Sequence, residues 1–178
     1  TRKWLMSRRD GKGGFKLDSK ALDSFGRASP EVTAAYITYS MAAAGFADGM
    51  KTEVDAQARA AQSTKDPYLL ALAANTLLHV PARVAEGKAA TARLVGMQQK
   101  AGHWTGADHS ITRSTGRNLE IETTALAVMA ALQADASPDA VRRGVDWLQN
   151  NRGGFGQWGA TQATVLAPTG TIGLMMDC

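Results

Sequence analysis

The sequence predicts an all-α protein built as an α/α toroid, a full or partial ring of helical hairpins with alternating inner and outer helices. Three observations predict it. Helices apolar on all sides (about 31–44, 67–79 and 121–134) alternate with helices carrying one charged face (52–62, 82–99 and 138–150). A helix apolar all round must be buried and one with a polar stripe faces water, so the order reads inner, outer, inner, outer. There is also an internal echo, in which Trp4-Leu5 to Gly13-Gly14-Phe15 returns as Trp147-Leu148 to Gly153-Gly154-Phe155. Finally, inner helices begin near Val32, Tyr68, Ile121 and Gln162. The repeat of about 36–53 residues falls in the range of helical-hairpin arrays.

Each element has a local reason. Gly13-Gly14 and Gly153-Gly154 follow amphipathic segments, where a left-handed residue ends a helix without a Cβ clash. The aromatic after each pair can tuck under the next inner helix. Ser29-Pro30-Glu31 starts the first inner helix, Val32, Tyr36, Tyr39 and Ala43 keep its spacing, and Gly45 stops it. Residues 52–62 place Val54, Ala58 and Ala61 on one face, with Asp55, Gln57, Arg59 and Gln62 elsewhere. Asp66-Pro67 opens a helix that is apolar through Leu78, and Pro81 opens the next, with Val84, Thr91, Leu94 and Gln98 along a mixed face. Residues 101–118 are rich in Gly, Ser and Thr and read as a long loop, in which the alternation over Ser110–Ser114 predicts a small β-hairpin. Ser137-Pro138 sets the reversal into the last outer helix.

Composition narrows the classes. At 178 residues and 44% apolar content the chain can bury the core of one domain. Much of that content is alanine, which favours helices in close approach. The net charge is +4, with basic residues gathered at the start: Arg2, Lys3, Arg8, Arg9, Lys12, Lys16 and Lys20. No aromatic or helical motif supports a nucleic-acid face there, so a solvated end is preferred. Cys178 is the only cysteine, so no intrachain disulfide forms. No apolar run reaches the roughly 18–20 residues of a membrane span. No signal peptide is read, and the start at Thr1-Arg2-Lys3-Trp4 is that expected of a piece of a longer protein.

Leu119–Ala134 and Trp147–Val165 resemble the thioester-containing domain of the α2-macroglobulin and complement family. The matching motifs are Ile121-Glu122-Thr123-Thr124-Ala125-Leu126-Ala127, then Trp147-Leu148, Gly153-Gly154-Phe155-Gly156 and Thr161-Gln162-Ala163-Thr164. Gln157-Trp158-Gly159-Ala160 departs from the family's shorter turn, and the Trp4-to-Phe15 corner and the Tyr36/Tyr39 helix look like its middle section. The Ala-rich composition looks bacterial. The resemblance implies that residues 1–167 are the C-terminal part of an α/α toroid, with 168–178 an atypical tail. It implies a non-enzymatic module of a broad-spectrum protease trap, with proteases and other domains of the parent protein as partners, and a periplasmic, cell-envelope or secreted location. In such proteins a Cys-Gly/Leu-Glu-Gln stretch forms a buried thioester that acylates the attacking protease. That stretch is absent here and is expected N-terminal to residue 1, and no His occupies Lys20–Phe25, where complement-like members carry the one that assists transfer to hydroxyls. Amine targets are therefore expected. An incomplete ring should expose apolar helix edges and self-associate.

Other chemistries meet specific obstacles in the residues present. His103, Asp108 and His109 lack the third and fourth ligands that zinc sites use. Glu120, Glu122 and Asp108 invite comparison with glycosidase carboxylates, but Glu120 is equally explained by a helix N-terminus. Glu122, on an inner helix, needs partners for its carboxylate and reads as hydrogen-bonded structure or an inner-rim group. Gly154-Phe155-Gly156-Gln157-Trp158 resembles the Gln-Trp repeats of triterpene cyclases, and Asp177-Cys178 thinly resembles the zinc ligands of prenyltransferases. An enzyme acting on isoprenoid or polysaccharide is the alternative. No metal or cofactor is expected. The inner-rim or structural candidates are Glu122, Gln162, Trp104, Phe155 and Trp158; Tyr36 and Tyr39 read as core.

Overall fold

The structure, a computed structural model, describes residues 2–16, 28–106, 108–153, 158, 163 and 166. Among them lie α1 (Arg2–Ser7), α2 (Pro30–Ala43), α3 (Lys51–Ser63), α4 (Pro67–Leu78), α5 (Val84–Val95), α6 (Gly116–Gln133) and α7 (Pro138–Asn150). A single 3₁₀ turn, Pro81–Arg83, leads into α5. The helices expected between residues 31 and 150 are thus present, while the inner helix expected near Gln162 lies outside the described residues. The one expected over 82–99 is shorter at both ends, and α6 begins ahead of its apolar stretch, with polar residues in its first turn.

Starts and stops follow the sequence signals. Ser29 Oγ accepts from Val32 N–H at 3.2 Å, Asp66 Oδ1 from Tyr68 N–H at 2.9 Å, and Ser137 Oγ from Ala140 N–H at 3.4 Å. In each case proline occupies the first turn, where its missing N–H costs nothing. Beyond α2, Gly45 N–H donates to Ala42 O and Phe46 N–H to Met41 O, closing the helix end.

The helices form two layers. In the inner one, α4 lies between α2 and α6. In the outer one, α3 packs on α2 and α4, α5 on α4 and α6, and α7 on α6. Every residue of α4 from Pro67 to Leu77 is buried, as its all-round apolar sequence requires. Several polar groups in this layer find backbone partners. Thr38 Oγ1 and Thr76 Oγ1 donate to carbonyls one turn back, and Asn75 Nδ2 ties α4 to α6 through Leu126 O at 2.9 Å. The outer helices bury one stripe each; that of α7 is Ala140, Val141, Gly144, Val145, Trp147 and Leu148.

Side chains reaching to backbone stitch the outer layer. Arg93 of α5 donates to Ala61 O and Thr64 O, capping the carbonyl end of α3. Gln98 Nε2, just beyond α5, donates to Gly102 O and to Ala140 O of α7. Arg9 departs from the solvated end expected of the basic cluster: Nε donates to Glu53 Oε1 at 2.8 Å and Nη2 lies 2.8 Å from Oε2 of the same buried carboxylate. Glu53 is on the inward side of α3, so its charge requires a partner.

The corners repeat in a register the Gly-Gly-Phe echo does not show. Trp104 Nε1 donates to Leu94 O at 2.6 Å, and Trp158 Nε1 to Leu148 O at 2.8 Å. In both, an indole plugs the corner and satisfies a carbonyl ten residues back, near the end of an outer helix. Phe15 stands ten residues after Leu5 and is also buried, with no N–H to give. Gly102, at φ +100°, turns the chain toward Trp104, and a Cβ there would press into Arg143 O. Gly154 and Phe155 lie outside the described residues.

No strand occurs among the described residues, whose one isolated bridge joins Arg9 and Phe15. The hairpin expected over Ser110–Ser114 is instead a tight turn. Ser110 N–H donates to Ser114 O, but Arg113 at φ 59° and hydrogen bonds from Thr112 N–H and Ser114 N–H to Ser110 Oγ curl the backbone out of a ladder. Among the described residues, no helix is long and apolar enough to cross a membrane.

Candidate functional site

The long loop between α5 and α6 carries the chemistry. After the Trp104 plug, residues 108–114 run across the amino-terminal ends of the three described inner helices, hydrogen-bonded at α2 and α4 and facing Glu122 at α6. At α2, Ser29 N–H donates to His109 Nε2 at 3.0 Å, while His109 Nδ1 lies 2.7 Å from Asp108 Oδ2. At α4, Ile111 N–H donates to Tyr68 Oη at 3.2 Å. At α6, the hydroxyls of Ser110, Thr112 and Ser114 face the Glu122 carboxyl and link to one another, 3.1 Å from Ser110 to Thr112 and 3.1 Å from Thr112 to Ser114.

Glu122 is wholly buried. Its position in the second turn of α6 points it at the loop, and neither carboxyl oxygen closes a hydrogen bond of ordinary geometry among the described residues. Burial pushes its pKa up, and the Ser114, Ser110 and Thr112 hydroxyls pull it part of the way back. The phenol of Tyr68 is driven the same way, chiefly by burial, with the Glu122 charge adding to it and the Ile111 N–H opposing. The two groups are buried close enough that the Glu122 charge disfavours ionisation of the Tyr68 phenol.

The sequence-read candidates do not converge. Glu122 lies beneath the loop. Trp104 stands behind it on the outer side, its backbone N–H donating to Thr124 Oγ1 at 3.1 Å. Trp158 plugs a different corner, with Arg152 over its ring. Gln162, Phe155, Asp177 and Cys178 lie outside the described residues. The three carboxylates compared with glycosidases go to three environments. Asp108 is exposed beside His109, Glu122 is sealed, and Glu120 lies 3.3 Å from Arg117 and 3.8 Å from His103. Because α6 starts at Gly116, Glu120 sits past the first turn, and Arg117 and His103 account for it better than the helix end. His103 stacks on Trp147 at 4.7 Å, apart from the His109 fastening. Among the described residues no three or more His, Cys, Asp or Glu side chains gather as metal ligands.

Sequence reasoning missed Tyr68 and the three hydroxyls as companions of Glu122, and His109 as a fastening. The signal was present in part. Hydroxyls at 110, 112 and 114 share one side of an extended segment, and read as polar contacts they would have pointed to a buried polar group beneath.

The chain matches the family model for the A-macroglobulin TED domain over residues 1–170. No curated protein matches it. The match spans the inner helices, the strap across their ends and the Trp corners, and on it the chain belongs to the A-macroglobulin thioester-containing domain family.

Proposed function

We propose that this chain is the enclosing part of a thioester domain in an α2-macroglobulin-like protease trap. It acts by shielding a reactive acyl group and performs no turnover of its own. The observation that supports this most is the sealing of the inner-helix ends. The loop 108–114 is fastened to α2 and α4, and the Glu122 carboxyl of α6 beneath it is fully buried. Such a surface excludes water, which a thioester requires, since a thiolate leaves readily once a nucleophile arrives. In this reading the two described layers are part of an α/α toroid, the partners are proteases and the other domains of the parent protein, and the protein works outside the cytoplasm, at the cell envelope or secreted. The Ala-rich composition supports a bacterial source.

The test is chemical. Treating the full-length parent protein with methylamine should release one thiol per chain and block covalent capture of a protease. No thiol released, together with capture unaffected by the amine, would overturn the reading. No His lies in Lys20–Phe25, so labelled methylamine should couple and labelled glycerol should not.

A further inference from the structure

The geometry points to residues 108–114 as an acid-released strap: it is fastened to α2 while His109 is neutral and lets go there when His109 takes a proton. A neutral imidazole has one nitrogen that donates and one that accepts. Asp108 Oδ2, 2.7 Å from Nδ1, holds the ring proton on that side, which leaves the Nε2 lone pair for Ser29 N–H at 3.0 Å. A backbone N–H can only donate. Protonation puts a second N–H on the ring, aimed at the first across the same 3.0 Å, and the bond becomes a repulsion. The Ser29 hydroxyl oxygen is engaged as the cap of α2, accepting from Val32 N–H.

The surrounding groups do not replace what is lost. Among the described residues, Asp108 is the charged side chain on the ring, and its carboxylate is largely exposed. Glu31, in the first turn of α2, is exposed, and Arg113 supplies a cation within the strap itself. Glu122 and Tyr68 lie underneath, and burial raises the pKa of both, so acid adds no charge to either. The fastening at Tyr68 is an N–H donated to a phenol oxygen and does not change with acid. His109 is therefore the point that acid opens.

Hydrogen exchange on the full chain, corrected for the intrinsic pH dependence of exchange, tests this. As pH is lowered from 7.5, protection of peptides covering 108–116 should fall, with a slope of up to about tenfold per pH unit for the single proton that drives it. Peptides from α4 should keep theirs. His109→Gln should abolish the fall. Asp108→Asn removes the carboxylate that favours the imidazolium, so the midpoint of release should move to lower pH. Tyr68→Phe should loosen the strap equally at every pH and leave the slope unchanged. An unchanged strap in the parent chain, a His109→Gln chain that still opens, or an Asp108→Asn midpoint that does not move would each overturn the proposal.

Discussion

At the scale of single residues, Glu122 decides the pH behaviour of the core. Its folded pKa lies above its unfolded one because burial penalises the charged form. The folded state therefore binds the proton more tightly, and stability falls as pH rises from the unfolded pKa through the folded one. Glu122→Gln removes that dependence. Thermal or urea unfolding should show the variant matching the parent near pH 4 and becoming progressively more stable than it toward pH 8. A gap that narrows with rising pH would show that the carboxylate is paired when ionised. Tyr68→Phe leaves Ile111 N–H without its acceptor, a loss of about 1–3 kcal/mol on urea unfolding. The need for a partner at Glu122 was legible in the sequence, because a carboxyl on an all-apolar helix has to be satisfied. The partners were not, because Ser110, Thr112 and Ser114 come from a loop whose path is set by tertiary fastenings and by a left-handed Arg113.

At the scale of elements, the helices were readable because each inner one lacks a polar face and each outer one has a single face. Caps at Ser29, Asp66 and Ser137 fixed their starts. The corners were only half readable. Gly-Gly-Phe suggested the repeat, but the unit that recurs in space is a leucine carbonyl and an aromatic ten residues on, hidden because loop residues between them differ. Trp104→Ala should cost about 3–5 kcal/mol, since it empties a corner and strands the Leu94 carbonyl. Trp104→Phe keeps most of the volume and should cost less than half as much. Near-UV circular dichroism and urea midpoints would measure both. A Trp104→Ala variant within 1 kcal/mol of the parent, the scale of an ordinary surface change, would deny the plug its role.

At the scale of the whole molecule, two layers imply two flanks, and the α2 flank carries a groove. Leu5, Tyr36, Ile37, Met41 and Phe46 line an apolar recess of about 320 Å³, with Arg2 over the Phe46 ring. Trp4 and Phe46 are the large hydrophobic side chains most exposed among the described residues. Light scattering should show the isolated chain associating as concentration rises, and Ile37→Glu should shift it toward monomer. A monodisperse monomer at high concentration would count against this. The stitching of the outer layer carries a consequence for inheritance. Arg93 and Gln98 grip main-chain oxygens of Ala61, Thr64 and Ala140, so their partners are atoms every residue supplies. Substitutions at 61, 64 or 140 leave the grip intact, and none of them can restore it once Arg93 or Gln98 is gone. Genetic suppressors of changes at 93 or 98 should therefore arise elsewhere in the chain, and these contacts should leave no paired trace when related sequences drift apart.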